Sequence, residues 1–297
     1  MQLISIQDLT RPRAEIDPII SQARMLEDLY EKFIRQDIET YEYTVIDFGE
    51  KTREPGIHAS EISKCLRRLV YGILGTERKT IAEKVDPNLK MRFRMGTALH
   101  AMLQNDFHRM AKWFTEMNQA QGFALTFEDE VSIKPHLQQV SYEWGLNSSC
   151  DGVFTFWWLC NGVWVRYLRV GVEIKSSSAP SYESRRKPEA DHAEQTCLYQ
   201  ACLDLPLMWV LYYNKSNSNF TGPRAPWLFE FNSNLWEREL KSRFYKAYQH
   251  AQANNLPDRT PGNHCGFCPF AHTCNPPTAS SKRQSQVVSL GLPRKRL

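Results

Sequence analysis

Residues 150–178 read CDGVFTFWWLCNGVWVRYLRVGVEIKSSS, and this stretch decides the fold. The run VFTFWWL is rich in the branched and aromatic residues that suit a pleated, half-buried strand. Asn161-Gly162 follows, and this dipeptide accepts the positive φ angles of a two-residue hairpin turn. VWVRYLRVGVEIK then returns as a second strand. The hairpin brings Asp151, at the start of one strand, beside Glu173 and Lys175, near the end of the other. Side chains alternate along a strand, so Glu173 and Lys175 share one face while Ile174 points to the other, toward a core.

Outward from the hairpin, GFALTFEDEVSI (122–133) and QVSYEWG (139–145) alternate with a period near two and predict two further strands. Residues 188–203 predict a helix, PLMWVLYYNK (206–215) and WLFEFN (227–232) predict strands, and 234–253 predict a long amphipathic helix. Asn232 or Asn234 can cap that last helix, and Glu237 stands three residues after Asn234, as in a capping box. Toward the N-terminus, residues 16–50 predict a long polar helix followed by a strand or turn around 44–47, and Pro55-Gly56 breaks the chain. A helix capped by Ser60 then carries Ile62, Leu66, Leu69, Val70 and Ile73 and ends at Gly75. A polar loop over 76–90 leads to a helix over 91–113 with Met95, Leu99, Met102 and Leu103 on one side. The strands between 121 and 175 have links too short for parallel pairing, so the prediction is an α/β fold with a mixed central β-sheet flanked by helices. No internal repeat is present.

The chain has 297 residues, 42% hydrophobic and 24% charged, with a formal net charge of +4. Those values are ordinary for a globular protein. No apolar run of about 18 residues exists, which argues against a membrane-spanning helix. The N-terminal residues do not read as a secretory signal, and a cytoplasmic location is the expectation. The mild positive excess is compatible with a phosphate-backbone partner. Arg92 and Arg94, the run Arg185, Arg186, Lys187, and the tail residues Arg294, Lys295 and Arg296 concentrate it.

Asp151 and Glu173 are two carboxylates suited to a hard divalent cation such as Mg²⁺ or Mn²⁺. Lys175 adds a positive charge that can orient a water and offset negative charge in a transition state. This set suits hydrolysis of a phosphodiester. His100 lies on an otherwise apolar helix face. Gln195 and Tyr199 are four apart and share a face of their helix. His192, one turn before Gln195, is a further candidate to approach a substrate. Phe93 and Tyr182 are candidates to stack on nucleobases.

On these residues the sequence resembles the PD-(D/E)XK nuclease superfamily. Within its RecB-like branch it looks like the iron–sulfur exonucleases associated with CRISPR systems. The family's glycine-three-residues-histidine element matches Gly96 to His100, its aspartate-glycine matches Asp151-Gly152, and its acid-x-lysine matches Glu173-Ile174-Lys175. Its glutamine and tyrosine match Gln195 and Tyr199. The proline of the superfamily's name has no counterpart. The resemblance implies a restriction-endonuclease-like core whose metal ligands are His100, Asp151, Glu173 and the carbonyl of Ile174. It implies Lys175, Gln195 and Tyr199 as further catalytic residues. A histidine ligand suits Mn²⁺ at least as well as Mg²⁺.

Eight cysteines are present. Cys150, Cys160, Cys197 and Cys202 fall in apolar segments and read as small buried hydrophobes. Cys265, Cys268 and Cys274, in HCGFCPFAHTC, have metal-ligand spacing and call for a fourth ligand. Cys65 is the natural candidate, placed by the sequence on the helix from 61 to 74. The resembled family has one such cysteine upstream and three near the C-terminus, which implies a [4Fe–4S] cluster on Cys65, Cys265, Cys268 and Cys274. Zn²⁺ held by the three C-terminal cysteines with Cys65, His264 or His272 is the competing reading.

The expected organisation is an N-terminal helical extension (1–56), a helical region with Cys65 and His100 (57–120), a nuclease core (121–253), a cysteine segment (254–277) and a basic tail (278–297). The resemblance implies a metal-dependent DNA exonuclease acting on single-stranded or free ends, in recombination, repair or end processing. Recombination or CRISPR-adaptation proteins are the implied partners. A DNA endonuclease, a non-catalytic DNA-end binder with a structural metal centre, and an RNA substrate remain as alternatives. No Gly-rich loop ending in Gly-Lys-Ser/Thr is present, so no fused helicase motif is read.

Overall fold

In a computed structural model, described over residues 13–36, 54–79, 87–134, 145–177, 179–185, 187–217 and 227–274, the hairpin lies within a five-stranded sheet. Strands β2 (Ser149–Cys160) and β3 (Val163–Ser177) pair antiparallel. Asn161 and Gly162 join them with φ of 51° and 79°, the left-handed values that this tight turn requires. A register shift between Phe156 and Trp157 bends β2 locally. Strand β1 (Phe123–Ser132) adds antiparallel to β2, β4 (Leu207–Asn214) adds parallel to β3, and β5 (Trp227–Glu230) adds antiparallel to β4. The parallel step needs a crossover, and helices α4 (Ala179–Glu183) and α5 (Ala190–Leu203) supply it. The fold is mixed α/β.

Strand alternation sorts the core into two layers. Val170, Val172 and Ile174 of β3, with Leu207, Trp209 and Leu211 of β4, face helices α1 (Arg13–Gln36) and α3 (Pro87–Asn118). Phe107 of α3 is the hub of that layer. Its ring lies 5.3 to 5.8 Å from those of Tyr30, Phe127, Phe154 and Trp209. The opposite layer packs Val153 and Met208 against α2 (Leu66–Ile73), α5 and α6 (Lys241–Gln252), through Leu69, Val70, Leu198 and Phe244. Gly152 is required where β1 crosses β2, because a Cβ there would stand 2.2 Å from the Phe127 ring.

The structure departs from the sequence reading in several places. Helix α2 begins at Leu66, not near Ser60, so Cys65 is its extended N-cap residue rather than a residue within the helix. Two contacts explain the delay. Ile57 N–H donates to the Gly145 carbonyl while its own carbonyl accepts from Asn147 N–H, and the Ile62 carbonyl accepts from Arg243 Nη1 at 2.7 Å. A short 3-10 turn, Ala59–Glu61, fills the gap. Helix α3 runs longer than expected at both ends. Its core stripe is Leu99, Leu103, Phe107 and Met110, which leaves Met95 and Met102 exposed.

Before α6 the chain makes a π-helical stretch, Leu235–Leu240. Asn232 caps it, its Oδ1 accepting from Leu235 N at 3.0 Å. No box forms with Asn234, which is already helical, and Glu237 instead receives Lys241 at 2.8 Å. The strand expected over 139–145 falls mostly outside the described residues, and Leu146 makes only an isolated bridge to Ile57. The expected elements over 37–50 and the tail from 278 also lie outside them. Among the described residues no helix is long and apolar enough to cross a membrane.

Candidate active site

Gly152 pairs with Val172, which carries Asp151 and Glu173 to the same end of the β2–β3 ladder. Glu173 points to the α5 side and is only 3% exposed. Lys175 Nζ donates to Glu173 Oε1 and to Gln195 Oε1, the latter at 3.0 Å. Gln195 Nε2 donates to Glu173 Oε1 at 2.8 Å and to the Tyr199 hydroxyl at 3.1 Å. The Tyr199 hydroxyl lies 3.3 Å from Ser148 Oγ. The four-residue spacing of Gln195 and Tyr199 places both over β3, so one helix face fixes one strand's acid and lysine.

Asp151 is held from two directions. Its Oδ2 accepts the Ile174 N–H at 2.6 Å, and its Oδ1 lies 3.4 Å from His100 Nδ1 on α3. Ile174 therefore meets the cluster through its amide, while its side chain is buried on the other face. Burial, then the charge of Asp151, pushes Glu173 up to about 7 against the pull of Lys175. Burial opposes the charged form of His100, but the hydrogen bond and charge of Asp151 and the charge of Glu173 outweigh it and raise its pKa. Burial raises Tyr199 well above the ordinary phenol value, so its hydroxyl stays neutral.

Asp151, Glu173, Lys175, Gln195 and Tyr199 line a polar cavity of about 770 Å³ with His58, Ser60, Glu130 and Lys134. His100 is not on that wall and reaches the cluster through Asp151. Among the described residues no three His, Cys, Asp or Glu side chains converge as a ready-made ion cage. The donor chemistry still suits a hard cation. The charge of Asp151 presses the nearly water-free Glu173 toward protonation, and a positive ion between the two would relieve it.

Two neighbours escaped the sequence reading. Gln104 Nε2 donates to the Asp151 carbonyl at 2.8 Å. It stands four residues after His100, and that spacing was the signal that could have found it. Glu130 has φ of 48° and its Oε2 accepts from Ser149 Oγ at 2.7 Å. Its position opposite Asp151 depends on strand register, which composition does not reveal.

Other candidates divide. Tyr182 is buried against Val210 and Tyr212, so it is a packing residue and not free to stack on a base. Phe93 is 63% exposed. His192 Nδ1 lies 2.7 Å from the Tyr212 hydroxyl, and burial with the nearby Lys175 charge lowers it to about 4. The Arg185 guanidinium sits 4.1 Å over the Tyr212 ring and pairs with Glu189 at 2.7 Å. Arg92, Arg94 and Lys187 are exposed, and Arg186 lies outside the described residues.

Cys65, Cys265, Cys268 and Cys274 line a second cavity of about 230 Å³ with Arg67 and His264. All four are free thiols. Burial holds the Cys268 thiol up. Arg67 Nη1 approaches Cys274 Sγ at 3.9 Å, while Arg67 Nε and His264 Nε2 are buried without a hydrogen-bond partner. Four free thiols around a void fit a group held by thiolates. The cysteine segment is anchored by Phe270, which packs on Tyr71 at 5.3 Å and under Arg78 at 5.0 Å. Cys150, Cys197 and Cys202 are buried and Cys160 is half-buried, all away from this cavity.

No family model matches the sequence, and no curated protein matches it. Among solved structures, that of SSO0001 is similar at 14% identity, covering 84% of this chain and 96% of that one, with a TM-score of 0.39. An alkaline exonuclease, LHK-Exo, from Laribacter hongkongensis is similar at 14% identity over 67% of this chain and 89% of its own, also with a TM-score of 0.39. At that identity and TM-score neither likeness carries an argument about chemistry.

Proposed function

We propose that this chain is a metal-dependent nuclease that hydrolyses DNA phosphodiester bonds, working as an exonuclease on single-stranded or free ends. One observation carries the reading: Lys175 is clamped between Glu173 and Gln195, beside Asp151, on the wall of a polar cavity. A divalent cation on Asp151, Glu173, His100 and the Ile174 carbonyl would polarise a phosphate oxygen and offset its growing charge. The chain's own groups do the rest. Gln195 and Tyr199 hold Lys175 in one place, so its ammonium can orient an attacking water without reorganising. The buried floor excludes bulk water and strengthens each of these interactions.

In the same reading the cysteine cavity holds a [4Fe–4S] cluster on Cys65, Cys265, Cys268 and Cys274. The resemblance to the iron–sulfur exonucleases, and not any distance between the thiols, is what favours it over Zn²⁺. Its part is architectural, since phosphodiester hydrolysis moves no electron. A brown protein with four irons and broad visible absorbance is the expected result, and a colourless zinc protein would overturn it.

The activity test uses protein purified without oxygen and end-labelled single-stranded DNA with Mn²⁺. Stepwise products from one end are expected, with Mn²⁺ at least as effective as Mg²⁺ because His100 is a ligand. Glu173→Ala should lower the rate about a thousandfold or more, the scale of losing a principal transition-state contact. Internal products would mark an endonuclease. No cutting of single-stranded, duplex or overhang DNA, or of matched RNA, by metal-loaded protein would sink the reading.

A further inference from the structure

We infer that the first two turns of α3 form a binding face for single-stranded nucleic acid, with Phe93 as its stacking platform; this rests on the nuclease reading above. Lys90 to Met95 are exposed all round, so this part of α3 stands clear of the sheet. Phe93 precedes His100 by seven residues. At 3.6 residues per turn that puts the two within about 20° of one line along the helix, roughly 10 Å apart. That is the length of about three stacked nucleotides. Gly96 lies between them, and a Cβ there would be 4.0 Å from Ser176 Oγ, just past Lys175 on β3. Ser176 shares the α3 side of β3 with Ile174, opposite Lys175, so the exposed face leads to the cluster through His100, whose Nδ1 lies 3.4 Å from Asp151 Oδ1.

Its charge matches the occupant. Lys90, Arg92 and Arg94 are exposed, and α3 carries no acidic residue before Asp106. Arg92 and Arg94 project about 100° to either side of Phe93. A base on the ring would leave its flanking phosphates within reach of both guanidiniums, the combination of stacking and charge that single strands favour. A duplex keeps its bases paired and offers none to this ring.

The test is fluorescence anisotropy of a labelled single-stranded 12-mer in EDTA, where nothing is cut. Phe93→Ala and Phe93→Leu should each weaken binding about tenfold, and Phe93→Trp should stay within about twofold of wild type. A 2-aminopurine base scanned along the strand should be quenched at one position, and Phe93→Ala should abolish that signal. Mn²⁺-dependent hydrolysis of bis(p-nitrophenyl) phosphate, too small to reach Phe93, should be equal in all variants. Wild-type affinity in Phe93→Leu overturns stacking, as does an unchanged 2-aminopurine signal in Phe93→Ala. Wild-type protein that does not hold single strands overturns the inference even if it cuts the small ester, which keeps it separable from the nuclease reading.

Discussion

The acid–lysine cluster and the cysteine cavity are built in opposite ways. In the first, Glu173, Lys175, Gln195 and Tyr199 satisfy one another through hydrogen bonds, at the end of the central strand and on one helix. In the second, Cys65 meets Cys265, Cys268 and Cys274 around an open space that the four residues line. The first is finished by the fold. In the proposed reading the second is finished by the group that the thiols would bind, so its binding energy would also be folding energy. Damage to the two regions should therefore separate, with chemistry lost from one and stability from the other.

The largest effect should follow from breaking the cysteine side. Cys274→Ser, or stripping the bound group with a chelator, should cost more than about 5 kcal/mol of stability, because a structural metal centre contributes on that scale. DNA binding should weaken with it, since the C-terminal segment loses its anchor. The variant molecules that remain folded should still cut at a near-normal rate. Denaturation of loaded and stripped protein, set beside turnover per folded molecule, measures both. Unchanged stability would mean that the packing of Phe270 on Tyr71 and Arg78 alone holds the segment, and the contrast between the regions would collapse.

A smaller effect tests how far that anchor depends on charge. Glu61 is 1% exposed and meets Arg78 Nη1 at 2.7 Å and Arg68 Nη2 at 2.8 Å. Burial opposes its charged form, but these hydrogen bonds outweigh burial and lower its pKa from 4.5 to about 2. A lowered folded pKa contributes stability that is complete above the unfolded value and lost as pH falls through the folded one. The window is therefore from about pH 4.5 down to about 2. Glu61→Gln should cost about 3 kcal/mol at pH 7 and flatten the loss of stability across that window. Denaturation midpoints at pH 7, 4 and 3 check it. An acid limb as steep as wild type would show that other carboxylates dominate it.

The two regions also differ in how much the sequence showed. The hairpin was legible because Asn161-Gly162 leaves one turn geometry, but its register places Asp151 beside Glu173 only after the shift between Phe156 and Trp157, which the turn does not reveal. Gln195 and Tyr199 were legible as a helix face, though nothing local says that the face lies over β3. Cys65 was legible as a residue but not as a helix cap, because Arg243 from α6 takes the Ile62 carbonyl and interrupts the helix. Tyr182 looked free in the sequence and is buried, since its packing depends on where β4 lies. Local turn chemistry and periodicity can be read in sequence. Contacts between distant segments are set by the assembled core.

The smallest expected effect asks whether the sheet alone finishes the acid cluster. Gln104 donates to the Asp151 carbonyl at 2.8 Å and its Nε2 lies 3.5 Å from Glu130 Oε1. It is the contact by which α3 supports the strand end that carries Asp151, one turn beyond His100. Gln104→Ala leaves that carbonyl without this donor, which should cost about 1 kcal/mol of stability. If the helix contact holds Asp151 in place, kcat on single-stranded DNA should fall about tenfold with KM nearly unchanged, because positioning is lost and not strand binding. Steady-state kinetics with a melting curve separates the outcomes. A normal kcat with lowered stability would make Gln104 a packing residue, and the Ile174 N–H at Asp151 Oδ2 would then be sufficient to hold the carboxylate. A lowered kcat would show that the site is finished by strand and helix together, as the line from Phe93 through His100 to Gln104 on one face of α3 already implies.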